Sequence, residues 1–114
     1  MFERKRGDYL LPVRFSSGEF QFRGVIININ PEGVVVVTND RRFINVQNAA
    51  LQDRDFLLEF NFFDLDTEGI TASIKKIRPG LFKGYELVID FAFTTIASVT
   101  KRDINRTIQA QRLN

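Results

Sequence analysis

From Phe56 to Phe63 every second residue is a large apolar one. Phe56, Leu58, Phe60 and Phe62 fall on one side of an extended chain, and Leu57, Glu59, Asn61 and Phe63 on the other. A two-residue period of this kind belongs to a strand with one face in a core. The same pattern recurs along the chain in short runs separated by turn residues. Tyr9 to Phe15 reads as a strand, with Pro12 placing it at an edge. Ser16-Ser17-Gly18-Glu19 is a turn. Phe20 to Asn30 is a long second strand on which Arg23, Val25, Ile27 and Ile29 share a face, and Gly24 marks a bulge or a close backbone approach. Pro31-Glu32-Gly33 turns the chain, Pro by its fixed φ and Gly by its tolerance of positive φ.

Gly33 to Thr38 is an uninterrupted apolar run, expected as a strand buried on both faces. Asn39-Asp40-Arg41-Arg42 breaks it, and Phe43 to Gln47 is a further weak strand. Asp64 to Gly69 is a hairpin loop and Pro79-Gly80 a turn, with strands at Ile70 to Arg78 and Tyr85 to Ala92. The ending differs. Thr94 or Thr95 is placed to cap a helix from Ile96 to about Gln111. On it Ile96, Thr100, Ile104 and Ile108 form one stripe at spacing four. The pattern predicts an all-β domain: a small, six-stranded, antiparallel β-barrel with a C-terminal α-helix. Its parts are a basic arm over residues 1–8, the barrel over 9–93 and the helix over 95–112. Closing the sheet removes exposed edges.

A chain of 114 residues fits one domain and buries a core without metal or disulfide. Twelve Phe and no Trp suit a barrel interior. With no Cys and no His, thiol and imidazole catalysis and the usual zinc sites are excluded. No phosphate-cradling glycine loop is present, and a calcium loop begun at Asp64 would carry Lys75 where the closing Glu belongs. An enzyme is therefore not expected. The absence of an apolar leader and of a membrane-length apolar run points to the cytoplasm, with no membrane insertion.

Charge is unevenly spread although the net is only +2. Arg4, Lys5 and Arg6 lie at one end and Lys101, Arg102, Arg106 and Arg112 at the other. Asp53 to Glu68 is strongly acidic. Arg102 and Arg106, four apart on the helix, read as a solvated face more readily than as a phosphate grip. A small barrel with Arg41-Arg42-Phe43 and Phe20-Gln21-Phe22-Arg23 admits single-stranded nucleic-acid binding. The acidic segment and the core-like Phe spacing weigh against nucleic acid.

Two short motifs complete the reading. Glu3-Arg4-Lys5-Arg6 stands upstream, and Asn28-Ile29-Asn30-Pro31-Glu32-Gly33 sits between two strand-forming runs. Together with the strand order and terminal helix, these resemble the PilZ domain family. That family pairs an Arg-x-x-x-Arg segment with Asp/Asn-x-Ser-x-x-Gly, and many members bind cyclic di-GMP. The resemblance implies a bacterial signalling receiver or adaptor, linked to control of motility, surface growth or secretion. It implies that Arg4 and Arg6 serve phosphate and guanine, Asn28 and Asn30 the base edges, and Gly33 the turn; Lys5 beside Arg4, and Arg23 on the strand of Asn28, are further cations placed to supply a missing contact. Guanidinium suits such a ligand because it pairs bidentately with phosphate and stacks on a base.

The signature departs from the family's. Counting from Arg4, the second Arg position holds Asp8; counting from Arg6, it holds Leu10. The Ser position holds Asn30. One lost charge-assisted contact costs on the order of 1.5–3 kcal/mol. The expectation is a PilZ-like adaptor in which ligand binding is weak or lost. No cofactor beyond that ligand is implied. The alternative keeps the fold and drops the ligand, leaving a protein-interaction module that uses the barrel face or the C-terminal helix. The Ile96, Ile104 and Ile108 stripe buries either on its own barrel or on a second copy, as a homo-oligomer would allow.

Overall fold

The computed structural model describes residues 8–46, 51, 53–80 and 86–112. Six strands form a closed barrel: β1 (Asp8–Ser17), β2 (Phe20–Asn30), β3 (Gly33–Thr38), β4 (Asp55–Glu59), β5 (Thr71–Pro79) and β6 (Leu87–Thr95). Their order around the barrel is β1-β2-β3-β6-β5-β4, and every neighbouring pair is antiparallel. The barrel closes where Arg14, Phe15 and Ser16 of β1 meet Glu59, Leu58 and Leu57 of β4. A helix, α1 (Arg41–Val46), follows β3, and α2 (Ser98–Arg112) ends the chain. The expected fold class therefore stands.

The interior is built on phenylalanine. Phe15 is fully buried, and its ring lies 5.4 to 6.0 Å from those of Phe22, Phe43, Phe56 and Phe91. Most of these contacts are edge-to-face, the arrangement that sets a positive ring edge against a negative face. Ile104 and Ile108 of α2 belong to the same buried core, and Ile96 packs against it. The helix stripe thus buries on its own barrel.

Four local expectations are corrected. Residues 43 to 46 are helical, not a strand. Asp40 is the reason: its Oδ1 accepts the Arg42 N–H at 3.0 Å and its carbonyl accepts the Ile44 N–H at 3.0 Å. That is an N-cap, which nucleates a helix whose Phe43 then plugs the barrel end beside Phe15 and Phe22. Gln47, the last residue of the expected strand, lies outside the described residues.

The second correction concerns β2. Ile26 and Ile29 are buried, whereas Val25 is 37% exposed. The register slips between Ile26 and Asn28, so a bulge at Ile27 changes which residues face inward. Gly24 is not that bulge. A Cβ there would meet the Val37 carbonyl at 2.8 Å, so it marks a close backbone approach. Third, neither Thr94 nor Thr95 caps α2. Thr95 pairs with Thr71 in the ladder and the Thr94 hydroxyl bonds that of Thr71 at 2.8 Å. The first turn of the helix begins with the Lys101 N–H donating to the Ala97 carbonyl.

Fourth, β4 stops at Glu59 although the apolar alternation runs on. Phe60 and Phe62 are still buried. The chain leaves the ladder because the Thr67 hydroxyl takes the Phe60 carbonyl at 2.6 Å and Phe63 turns at φ 54°.

Asp40 supplies a pH-dependent prediction. Hydrogen bonding from the Arg42 side chain holds its carboxyl below the usual range; partial burial opposes this, and the Arg23 and Arg42 N–H groups add to the lowering. A carboxylate with a depressed folded pKa contributes stability above its unfolded value and loses it as pH falls through the folded one. The contribution should be complete above about pH 4 and fade below it. Asp40→Asn should flatten the acid limb of a denaturation-versus-pH curve. Asp40→Ala should lose about 0.5–2 kcal/mol near neutral pH in chemical denaturation.

Candidate functional site

The Asn-rich corner joins β2 to β3. Asp8, the first residue of β1, pairs with Asn28, so the start of β1 stands beside that corner. Arg4, Lys5 and Arg6 lie outside the described residues. Asn28 is half-buried on β2, between Asp8 of β1 and Val35 of β3.

Asn30 is committed to its own turn. Its Oδ1 accepts the N–H of Glu32 at 2.8 Å and that of Gly33 at 3.1 Å. This is the side-chain mimicry of a backbone turn that Asn favours. Gly33 is needed for a different reason from the one the sequence suggested. It is paired with Ala92 of β6 and does not take a positive φ. A Cβ on it would run into the Phe91 carbonyl oxygen. The residue is glycine because β3 and β6 approach closely there.

The structure does not bring Arg23 to the corner. It lies five residues from Asn28 on the same strand, roughly 16 Å away. Its N–H donates to Asp40 Oδ2 at 3.0 Å and its carbonyl accepts the Thr38 hydroxyl at 2.6 Å. What the fold does bring to the corner is α2. Lys101 Nζ stands 3.4 Å from Glu32 Oε1, and the Phe93 N–H donates to the Glu32 carbonyl at 2.9 Å. A shallow cleft of about 330 Å³ opens there, lined by Pro31, Ser98, Lys101, Arg102 and Asn105. Sequence reasoning read Arg102 as part of a solvated helix face and Lys101 only as part of the basic C-terminal end. Their proximity to Pro31 and Glu32 is a long-range consequence of how α2 docks, and no local motif signals it.

Chemically the corner is small, cationic on its helix side and largely satisfied within itself. Among the described residues no cluster of three or more acidic side chains could hold a metal, and no helix is long and apolar enough to cross a membrane.

A closed six-stranded antiparallel barrel with a C-terminal helix is a PilZ-like fold. The solved structure of the Bacillus subtilis inhibitor of motility, MotI/DgrA, is similar, with a TM-score of 0.71 at 18% identity. The match covers 99% of this chain and 53% of that one, so the present chain spans about half the length of its neighbour. At that identity the likeness is one of fold. No protein-family model matches the chain, and no curated protein matches it.

Proposed function

We propose that this domain is a non-enzymatic, cytoplasmic PilZ-like adaptor, linked to cyclic di-GMP signalling, in which ligand binding is weak or lost and output passes through contact with a protein partner. The observation that carries the reading is Asn30. Its side-chain amide oxygen already accepts two backbone N–H groups of its own turn, so the acceptor is committed and only the amide N–H donors remain for a guanine. Three further features agree. Asp8 occupies the second-arginine position counted from Arg4 and stands in register with Asn28. Glu32 brings an exposed carboxylate to the corner, in a surface ion pair with Lys101. Gly33 is accounted for by strand packing without any ligand. The name of the similar structure, an inhibitor of motility, agrees with a regulatory role.

Calorimetric titration with cyclic di-GMP tests this. The expected result is no binding, or binding only at ligand concentrations far above micromolar, with Arg4→Ala and Asn28→Ala making little difference. Micromolar or tighter binding that both substitutions abolish would overturn the reading and restore the corner as a working receptor.

A further inference from the structure

The outer wall of the barrel carries a feature that the ligand corner does not use. The strand register aligns Pro12 of β1 with Val25 of β2, Val25 with Val37 of β3, and Val37 with Val88 of β6. Their chain neighbours Val13, Ile26, Val36 and Ile89 are buried, so these four point outward. They form an unbroken aliphatic row across four strands, about 14 Å long. A wall facing only water would alternate apolar-in with polar-out.

The adjoining row is charged in an unusual way. Arg14 of β1 lies directly opposite Arg23 of β2, and both side chains are exposed. Side chains opposite one another in an antiparallel pair stand about 4.5–5.5 Å apart at Cβ, and like charges there repel. Neither guanidinium makes an ion pair or hydrogen bond within the described residues. Glu59 flanks Arg14 on β4 without an ion pair to it. On the far side, Asp40 is taken up by the Arg42 side chain and by backbone N–H groups. Two adjacent cations thus stand beside an aliphatic stripe, and among the described residues neither forms an ion pair, although Glu59 lies opposite Arg14. At the β1 end, Pro12 and Arg14 also form one wall of a cleft of about 830 Å³ that takes in Leu57 and Phe60 together with Glu59 and Glu68, so the surface ends in a concavity whose far wall is acidic and whose cationic side is Arg14.

We infer that this face of β1, β2 and β3 is the docking surface for a segment of a partner protein with an apolar side flanked by carboxylates. The apolar side covers Pro12, Val25 and Val37, and the carboxylates answer Arg14 and Arg23. Guanidinium forks favour carboxylates as bidentate partners. The charge pattern selects an acidic segment and works against a basic one. The inference rests on the adaptor reading of the fold but not on the cyclic di-GMP corner.

The test uses the full chain, isotopically labelled, titrated with a synthetic amphipathic Leu/Glu helical peptide and with a Leu/Lys peptide of the same length. Shift changes on the Leu/Glu peptide are expected at Arg14, Arg23, Val25 and Val37. Binding should weaken roughly tenfold or more in Arg14→Glu/Arg23→Glu and persist in Arg14→Lys/Arg23→Lys. Both pairs are exposed, and unchanged circular dichroism checks that the barrel is intact. Equal binding of the Leu/Lys peptide, shifts at α2 or at the Asn28 corner, or indifference to the charge reversal would each overturn the proposal. So would concentration-dependent shifts on the same face without peptide, which would assign it to a second copy. None of these outcomes touches the titration with cyclic di-GMP, so the two readings fail separately.

Discussion

Phe15→Ala should cost about 3–5 kcal/mol of unfolding free energy, the range for emptying a large aromatic site in a packed core. Phe15 has no exposed surface and touches the rings of Phe22, Phe43, Phe56 and Phe91. It also sits in the seam, since Phe15 pairs with Leu58 where β1 meets β4. That seam is short, three residue pairs in all. The substitution therefore opens a cavity and loosens the closure together. A domain of this size is stable by about 5–15 kcal/mol, so the variant should be close to unfolding at moderate temperature. Chemical denaturation, followed by far-ultraviolet circular dichroism, measures the loss. A cost under about 1 kcal/mol would mean that the cluster relaxes into the space, which the rigid packing of protein interiors disfavours.

Gly33→Ala should be the next most damaging of these changes, and its effect should need no ligand. The added methyl group would clash with the Phe91 carbonyl and sit 3.1 Å from the Ala92 Cα. Both obstacles are backbone of β6, which cannot swing aside as a flexible side chain would. Forcing atoms into such a contact costs about 1–3 kcal/mol, occasionally more, and here it also prises apart the β3–β6 ladder. A thermal melt of the ligand-free protein should show a midpoint lower by several degrees for each kcal/mol lost. An unchanged melt would place the need for glycine in ligand contact instead.

Much of this architecture could be read from the residues, and what escaped has identifiable physical causes. The bounds of β2 and β3 are set by local chemistry: strand-forming runs on either side of Asn30-Pro31-Glu32-Gly33. The burial of Phe56, Leu58, Phe60 and Phe62 follows from alternation alone. The ladder's end at Glu59 does not, because it depends on Thr67 folding back onto the Phe60 carbonyl. Helix α1 escaped because Arg41 to Val46 has too few residues for a helical period to appear. The one local signal was Asp40 placed to cap. The bulge at Ile27 shifted the inward face of β2, which a strict two-residue reading cannot foresee.

The candidate site was legible in part. Asn28, Asn30 and Gly33 gather at one turn as expected. Arg23 was assigned there on strand membership, and strand length separates it. Its position opposite Arg14 depends on the β1–β2 register, which a sequence fixes only through the turn and the core face together. The approach of Lys101 to Glu32 is likewise tertiary. The roles expected of Arg4, Lys5 and Arg6 rest on the sequence.

The most direct measurement restores the motif. Asp8→Arg would complete Arg-x-x-x-Arg from Arg4, and Asn30→Ser would complete Asn-x-Ser-x-x-Gly through Gly33 while keeping a hydroxyl able to hold the turn. If departures at these two positions are what weaken the corner, calorimetry should show cyclic di-GMP binding at least about tenfold tighter in the double variant than in the parent chain. A parent that already binds tightly, with a restored variant that binds no better, would contradict the account.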